Sequence, residues 1–462
     1  MPQRYLFLLT FGLLAFTASA QDAQIVQPYK QFTLDNGLNV ILHRDASTPL
    51  ISTNLWYHVG SAYEKPGRTG FAHLFEHLMF EGSKHVPEGK IDEWFEAVGG
   101  SPNGSTTNDR TNYMQTFARN GLELALFIES DRMGYLLDAM TPAKVDGQRD
   151  VVKNERRQSY ENRPYGLAWQ TIGENLYPPD FPYHWPVIGS MEDLSAATYE
   201  DVVDFFKTYY TPNNASLVIA GDIDPDSTQA LVEKWFAEIP AGPKVDPLYA
   251  PTPSLDVEKR LVMEDRVQLP RLYVAWITPP AFEPGNPAAD VAAEIFAGGK
   301  NARLYERLVY DLQIAQDVFA FQNSKKLASE FYVVATARSG HTLEELRTVI
   351  DEEIARLATE APSEREMSRV INRNETAFLE RLELLGQKAD QFNAYFYYTH
   401  NPDYFNEDLS RLKALSPNDV SAFARAYLRP DRRVVLSVVP EGDAALAVPE
   451  SRPAAEPTTP GD

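Results

Sequence analysis

Two histidines and a glutamate stand close together in the stretch His73-Leu-Phe-Glu76-His77. Residues three and four apart share one face of an α-helix, so these three side chains would project together. Two neutral imidazoles on adjacent turns can hold Zn²⁺, and a carboxylate beside them can take a proton from water at the metal. The order H-x-x-E-H is the reverse of the common H-E-x-x-H zinc motif. We therefore predict that His73 and His77 bind zinc and that Glu76 is a general base.

The surrounding residues favour a helix that could position this motif. Phe71, Leu74, Phe75 and Leu78 would pack into a core behind it. The alternative is a buried structural cluster, which without a metal or other partners would be costly. Around this helix, period-two and period-3.6 patterns predict strands at 38–43, 51–59 and 112–118 and helices at 70–80, 91–98 and 122–137. This mixture predicts an α+β arrangement, with an antiparallel sheet covered by helices.

The first twenty residues have the features of an export signal. Arg4 supplies a positive start, residues 5–16 are mostly apolar, and Ala18-Ser19-Ala20 is a small-residue cleavage site. No later stretch is long enough to predict a membrane span. We expect residues 1–20 to be a signal peptide and the mature protein to be soluble and periplasmic, with secretion as the alternative.

Composition excludes several classes of function. The chain has 43 Lys and Arg against 65 Asp and Glu, a net charge of −22, which argues against nucleic acid as a main partner. It contains no cysteine, so disulfides, thiolate ligands and a cysteine nucleophile are excluded, and any zinc must be held by His, Asp and Glu. A serine hydrolase is disfavoured because the chain has no G-x-S-x-G motif.

Proline recurs through residues 239–255 and predicts an extended linker between two parts of the chain. We predict an N-terminal zinc-binding domain over residues 21–238 and a C-terminal domain without the zinc motif over 256–440. The tail at 441–462 is rich in Ala, Pro, Glu and Thr, and we expect it to be disordered.

The two parts repeat each other. The segment from Thr198 to Pro212 matches the segment from Ser416 to Pro430 at a constant offset of 218, with the same Thr/Ser, Asp, Val, Phe, Tyr and Pro pattern. Each copy predicts a capped helix that ends at proline, followed by a strand at 216–220 or 434–439. The shared register indicates duplication. The same offset aligns the metal helix with residues 291–295, where both histidines are replaced by apolar residues, so the second half would shape a cleft or bind substrate.

These features together resemble the M16 (pitrilysin-type) zinc peptidases, in the short M16B form, over roughly residues 30–440. The resemblance implies two homologous halves, each an antiparallel β-sheet packed with helices, that enclose a chamber for substrate. It also implies a Zn²⁺-dependent endopeptidase that hydrolyses short or unfolded peptides.

The resemblance also implies the third zinc ligand. Catalytic zinc needs three protein ligands and one open position. The family takes the third from a glutamate about 75 to 80 residues after the second histidine, and Glu155 stands at that distance here. Glu161 is a poorer candidate because its spacing is longer. An acidic residue common seven positions before the ligand is replaced by Gln148.

Residues Asn103, Gly104 and Ser105 resemble the family's strand beside the metal, which binds peptide in extended form. An exposed strand edge offers unpaired N–H and C=O groups to any peptide backbone. The alternative from the residues alone is a plain Gly/Asn turn.

The family's second half commonly supplies an arginine and, seven residues later, a tyrosine that bind substrate near the zinc. Val309 and Gln316 stand at those positions here, and Arg303 and Tyr305 are either substitutes or structural residues. We therefore predict the zinc-bearing subunit of a heterodimer whose partner, a second M16-like chain, supplies the pair, with a homodimer as the alternative. The same residues are also consistent with a non-catalytic binding or assembly subunit and with a metal-dependent hydrolase of a non-peptide substrate.

Overall fold

The structure is a computed structural model that describes residues 24–455, so the signal peptide predicted at residues 1–20 lies outside the described part. Strands and helices alternate through both halves. The strands of the first half are β1 (Tyr29–Thr33), β2 (Asn39–Arg44), β3 (Leu50–Tyr57), β4 (Ser101–Thr106), β5 (Thr111–Ala118) and β6 (Ala215–Gly221). Those of the second are β7 (Lys259–Asp265), β8 (Arg271–Thr278), β9 (Ala315–Asn323), β10 (Ser329–Ala337), β11 (Val434–Pro440) and β12 (Arg452–Pro453).

The helices cover the faces of these sheets. In the first half they are α1 (Phe71–Leu78), α2 (Lys90–Ala97), α3 (Leu122–Ala139), α4 (Pro142–Arg156), α5 (Ala168–Leu176), α6 (Met191–Ala196), α7 (Tyr199–Tyr209) and α8 (Pro225–Phe236). In the second half they are α9 (Asn286–Ala297), α10 (Arg303–Tyr305), α11 (Leu343–Thr359), α12 (Glu364–Glu383), α13 (Leu385–Thr399), α14 (Phe405–Lys413) and α15 (Pro417–Tyr427). No helix in the described part is both long and apolar enough to cross a membrane.

Two six-stranded sheets with matching strand order form the framework. The first runs β1-β2-β6-β3-β5-β4 and the second β12-β7-β11-β8-β10-β9. Most neighbours are antiparallel, but β2 pairs with β6 in parallel, as β7 does with β11 and β12. The predicted α+β fold of two homologous halves is confirmed, with these parallel pairs added to the expected antiparallel sheets.

The duplicated segments form the same structure twice. Thr198 begins α7 and Ser416 begins α15, each with a capping box in which the aspartate three residues later completes the exchange of hydrogen bonds. Each helix ends just before its proline, and a central strand of the corresponding sheet follows, β6 or β11. The helix caps and the strands predicted from the repeat are confirmed.

The two halves interlock because each sends a helix onto the sheet of the other. Helix α5 packs on β8 and β11, while α13 packs on β3 and β6. The first contact buries Ile172 and Leu176 against strand residues such as Leu436, and the second buries Phe392 against Ile41 and Val218. Burial of this apolar surface holds the halves together. The two domains predicted from sequence therefore share hydrophobic cores.

The segment that joins the halves has no regular secondary structure, whereas the C-terminal segment contains a strand. Residues 240–255 contain no helix or strand. The disorder predicted from residue 441 is wrong for 441–455: β12 pairs with β7, and Val448 is buried, with its N–H donating to Ser437 Oγ at 3.1 Å. The composition of the tail did not indicate that Val448 would be buried or that β12 would pair with the edge of β7. These two contacts order the segment. Residues 456–462 lie outside the described part.

Candidate metal centre

Helix α1 presents the inverted motif on one face. Its buried residues include Phe71, Leu74, Phe75 and Leu78, which pack into the core of the first half. His73, Glu76 and His77 lie on the opposite, partly exposed face, with 13%, 18% and 25% of their side chains exposed. The helical period therefore separates the packing residues from those that can do chemistry.

The buried carboxyl group of Glu64 holds the start of this helix. Glu64 Oε2 accepts a hydrogen bond from the N–H of Gly70 at 2.9 Å, and Oε1 accepts one from the N–H of Ala72 at 2.8 Å. Burial raises the pKa of Glu64 to about 8, against the effect of these two hydrogen bonds. Two otherwise unpaired N–H groups at the helix start are thereby satisfied. No sequence pattern predicted this role for Glu64, which precedes the helix in a loop.

The predicted ligands come together in space. Glu155 Oε2, on the last turn of α4, lies 3.2 Å from His73 Nε2 and 3.3 Å from His77 Nε2. Between residues 24 and 455, this is the one group of three or more His, Asp and Glu whose ligand atoms all lie within 4.8 Å of one another. Tetrahedral zinc with bonds of about 2.0–2.1 Å separates its ligands by about 3.3 Å. The donor set therefore fits zinc in both chemistry and spacing.

The charges around the imidazoles favour a cation. Burial lowers the pKa of His73, but hydrogen bonds to Glu155 and Glu76 outweigh it and raise the pKa to about 9. The hydrogen bond with His73 lowers the pKa of Glu155, and burial together with the charge on His73 lowers the pKa of His77. The field that holds a proton on His73 would also attract a metal ion to the same place.

Strand β4 holds the candidate base. Thr106 Oγ1 donates to Glu76 Oε2 at 2.7 Å, and the same carboxylate oxygen lies 3.4 Å from His73 Nδ1. A Cβ on Gly104 would lie 2.9 Å from Glu76 Cγ, so the backbone approaches the base as closely as only glycine allows. Thr106 was not among the residues predicted from sequence. Its signal was the period-two spacing from Gly104, which places both residues on one face of the strand.

Asn103, Gly104 and Ser105 lie within β4, so the alternative of a plain turn is wrong. Strand β4 is the edge strand of its sheet, and β5 is its neighbour on the other side. The N–H of Gly104 donates to Asn103 Oδ1 at 2.9 Å, while Arg110 donates to the Ser105 carbonyl at 2.8 Å. An edge strand that runs past the base can accept an extended peptide as an additional strand.

Two other residues near the predicted third ligand have partners of their own. Glu161 forms an ion pair of 3.3 Å with Arg156 and is not part of the donor set. Gln148 Nε2 donates to Glu81 Oε1 at 2.6 Å. The amide thus binds a carboxylate where the family commonly has a second carboxylate.

Arg303 and Tyr305 are engaged within the second half. Arg303 binds both carboxylate oxygens of Glu366, at 2.6 and 3.1 Å. The Tyr305 ring packs edge-on against Tyr310 at 5.4 Å. These contacts join α10 to its neighbours and support the structural alternative for both residues.

The helix that the repeat aligns with the metal helix borders a cavity in the second half. Helix α9 lines a cavity of about 690 Å³ with Asp290, Ala293 and Glu294, which have the spacing of His73, Glu76 and His77. Val291 and Ile295, which the offset of 218 aligns with the two histidines, are buried in the core of the second half. The cavity has no histidine, and residues 24–455 contain no second group that fits a metal.

Comparisons with known proteins agree with this division. The family model described as Insulinase (Peptidase family M16) matches residues 39–174, and the one described as Peptidase M16 inactive domain matches residues 196–374. The zinc protease PqqE of Helicobacter pylori is 27% identical over 403 residues, covering 85% of this chain and 89% of its own.

Solved structures show the same fold. The crystal structure of a protease from Helicobacter pylori aligns with a TM-score of 0.85 at 25% identity, over 90% of this chain and all of that one. The periplasmic protease PqqL from Escherichia coli aligns with a TM-score of 0.74 over 92% of this chain and 49% of that one. At 20% identity, the second comparison shows the fold alone.

Proposed function

The chain belongs to the M16 peptidase family, and we propose that it is a zinc-dependent endopeptidase of short or unfolded peptides. The observation that carries the proposal is the donor set of His73, His77 and Glu155, with Glu155 Oε2 at 3.2 and 3.3 Å from the two imidazole nitrogens. The base Glu76 adjoins it on the same face of α1. Chemistry, spacing and relatives named as zinc proteases support the same function.

Each residue of the site would have a separate role in peptide hydrolysis. His73, His77 and Glu155 would hold zinc, which when bound polarises a carbonyl and makes water a stronger nucleophile. Glu76 takes a proton from the attacking water on one carboxylate oxygen while Thr106 holds the other, and it then passes the proton to the leaving amine. Strand β4 binds the peptide backbone, which gives weak sequence selectivity.

We propose further that this chain is the zinc subunit of a heterodimer. Val309 and Gln316 stand at the positions of the family's arginine and tyrosine. The guanidinium of Arg303 is already hydrogen-bonded to Glu366. Loss of one donor to the developing oxyanion lowers the rate about 10²–10³-fold. A partner that supplies the arginine and tyrosine would therefore raise the rate of hydrolysis. The predicted signal segment, together with the name of the periplasmic relative PqqL, supports a periplasmic location.

The Glu76→Gln variant tests the base assignment. We expect this variant to lose hydrolysis of a quenched peptide while it retains one zinc per chain, because the amide cannot accept the proton but leaves the ligands intact. Glu161→Gln is the matched control, since its ion pair with Arg156 lies outside the donor set, and it should retain both zinc and activity. Normal turnover by Glu76→Gln would show that the base is another group.

The partner is tested by an assay of the purified chain alone and mixed with a co-encoded relative that carries the arginine–tyrosine pair. We expect cleavage to rise at least tenfold on mixing. Full activity of the lone chain would refute the heterodimer. Absence of both zinc and cleavage under all conditions would instead favour a non-catalytic binding or assembly subunit, and cleavage of other substrate classes alone would favour a different hydrolase.

A further inference from the structure

We propose that a small cavity at the junction of the two halves binds inorganic phosphate, in a form that still carries a P–O–H group. The cavity, called here the basic pocket, has a volume of about 270 Å³. Its lining includes His58 of the first half, Val245 of the segment that joins the halves, and Lys326 and His400 of the second half. No predicted zinc ligand lines it, so the proposal stands apart from the proposed peptidase function.

The basic pocket brings cationic and donor groups together in a chain with a net charge of −22. Lys326 and two histidines line it, and no aspartate or glutamate does. An ammonium group has three N–H donors and no acceptor, and phosphate oxygens are strong acceptors for such donors. The lining therefore favours an anion over a cation.

Lys326 supplies a positive charge that forms no ion pair with the described residues. It lies half-buried in the turn between β9 and β10, with Nζ 3.8 Å from the ring centroid of Tyr397. Burial lowers the pKa of Lys326, and the charge of Asp109 opposes this effect. The Asp109 carboxylate instead accepts hydrogen bonds from the backbone N–H of Lys326 at 2.9 Å and from two tyrosine hydroxyls. Because a charge removed from water is unfavourable unless it is paired, an anion beside Lys326 would offset this cost.

A chain of hydrogen bonds fixes which nitrogen of His58 carries the proton. Asn393 Nδ2 donates to the Asn54 carbonyl at 2.8 Å, so Asn393 Oδ1 is the atom that accepts from Ser216 Oγ at 2.7 Å. Ser216 has a single hydroxyl hydrogen, so it must accept from His58 Nε2, which lies 3.0 Å away. Neutral His58 therefore has a lone pair on Nδ1, and this atom has no hydrogen-bond partner among the described residues.

An unprotonated Nδ1 selects an anion that still has a hydrogen. Burial, and then the charge of Lys326, lower the pKa of His58 to about 3, so the ring is neutral at pH 7. Inorganic phosphate retains a hydrogen at this pH and can donate it to Nδ1 while another of its oxygens accepts from the ammonium. One ligand can reach both groups, because Nζ of Lys326 and the ring of His58 lie 3.8 and 4.9 Å from the centroid of the same Tyr397 ring.

Two similar anions lack this hydrogen. Sulfate has none at neutral pH, and phosphate monoesters lose most of theirs by about pH 7.5. Either anion would place an acceptor oxygen against the lone pair on His58 Nδ1, which is unfavourable. The basic pocket should therefore prefer inorganic phosphate to both.

The walls of the basic pocket are formed before an anion enters. Asn213 Oδ1 accepts from the N–H of Gly242 at 2.7 Å, and its Nδ2 donates to the carbonyls of Gly242 and Pro243 at 3.2 and 3.1 Å. These bonds hold the segment that joins the halves against the first half. The N–H of His58 donates to the Asn214 carbonyl at 2.9 Å. A preformed site loses little conformational entropy on binding.

Calorimetry of the zinc-loaded protein with sodium phosphate, sodium sulfate and phenyl phosphate, at one ionic strength, tests the proposal. At about pH 7.5 we expect phosphate to bind about tenfold tighter than either of the other anions, because each of these exchanges one hydrogen bond for a contact between two acceptors. The pocket joins residues of both halves, so phosphate at about 100 times its Kd should also raise the midpoint of thermal unfolding by about 2–4 °C.

Two variants should weaken phosphate binding. Lys326→Met removes the charge and keeps the length of the side chain, so affinity should fall about tenfold or more. His400→Asn removes a donor at an exposed position where φ is 58°, a conformation that asparagine tolerates, and affinity should fall about threefold. Lys300→Met is the matched control, because Lys300 is exposed and lies outside the pocket, and it should keep wild-type affinity.

The outcomes separate the basic pocket from binding at zinc and from the proposed function. Phosphate that binds to Lys326→Met and His400→Asn as tightly as to the wild-type protein is bound elsewhere, for example at the metal, and overturns the pocket. Absence of binding, or equal affinity for phosphate and sulfate, overturns it as well. A preference for phosphate that Lys326→Met removes and Lys300→Met retains supports it. Peptide cleavage by the wild-type protein is measured in parallel, and its result decides the peptidase proposal alone.

Discussion

Thr106 and Glu76 are thirty residues apart in the sequence and meet through one hydrogen bond of 2.7 Å. The motif predicted Glu76 because three residues on adjacent helical turns carry their own spacing signal. It could not predict Thr106, because only the packing of β4 against α1 brings the hydroxyl to the carboxylate. The same holds for Glu155, which was placed by family resemblance and not by any local pattern. At the scale of the residue, chemistry within one helix turn is predictable, and contacts between elements are not.

Replacement of Thr106 by valine tests whether this hydroxyl orients the base. Valine keeps the shape and removes the donor, so Glu76 should sample other rotamers, and kcat should fall about 10- to 100-fold. KM and zinc content should stay unchanged, and Thr106→Ser should restore most of the rate. Steady-state kinetics with metal analysis measures kcat, KM and zinc content, and a valine variant with wild-type kcat would exclude a positioning role.

Helix α1 illustrates what can be predicted for an element. Its 3.6-residue period predicted both the helix and the face that packs, and the structure agrees. Its exact placement depends on Glu64, whose carboxylate binds the N–H groups of Gly70 and Ala72. Glu64 precedes the helix in a loop, outside any periodic pattern, so the sequence showed nothing unusual there. The start of the metal helix is thus fixed by a tertiary contact.

Loss of the Glu64 carboxyl group should weaken both the fold and the metal site. Glu64→Ala leaves two helix N–H groups without their partner, and we expect a loss of about 1–3 kcal/mol in the free energy of unfolding. Zinc affinity should fall as well, because His73 lies in the first turn of α1, which would lose its fixed position. Denaturant unfolding with and without zinc measures both effects. Glu96→Ala on the exposed face of α2 should change stability by less than about 0.5 kcal/mol, and equal losses in the two variants would contradict the role of Glu64.

At the scale of the whole molecule, the repeat predicted two similar halves but not their exchange of helices. Comparison of the halves shows which elements correspond, whereas it does not show which sheet each helix covers. In the structure α5 crosses to the second sheet and α13 to the first. The polar side of this junction includes Asn54 and Trp56, which donate to Asp390 at 3.0 and 3.1 Å. The halves should therefore unfold together.

His58 makes this junction sensitive to acid. Its Nε2 lies 3.0 Å from Ser216 Oγ, and its ring lies 4.9 Å from that of Tyr397 on α13. Burial, and then the charge of Lys326, lower the pKa of His58 from 6.5 to about 3. The folded protein thus holds His58 neutral, so its contribution to stability is present above pH 6.5 and is lost as the pH falls toward 3.

The His58→Gln variant should show this dependence directly. Glutamine cannot gain a proton, so the free energy of unfolding should fall less steeply between pH 7 and pH 4 than in the wild-type protein. Carboxylates elsewhere contribute equally to both proteins, and the difference between the two curves isolates His58. Denaturant unfolding across this pH range gives both curves, and parallel curves would show that His58 titrates alike in the folded and unfolded chains.

We propose above all that His73, His77 and Glu155 form a zinc site. Anomalous diffraction at the zinc edge, from crystals grown with one equivalent of zinc, tests it most directly. We expect a strong peak about 2 Å from His73 Nε2, His77 Nε2 and a Glu155 carboxylate oxygen, with Glu76 beside it. A strong peak elsewhere, with none between these three side chains, would show that they do not form the zinc site.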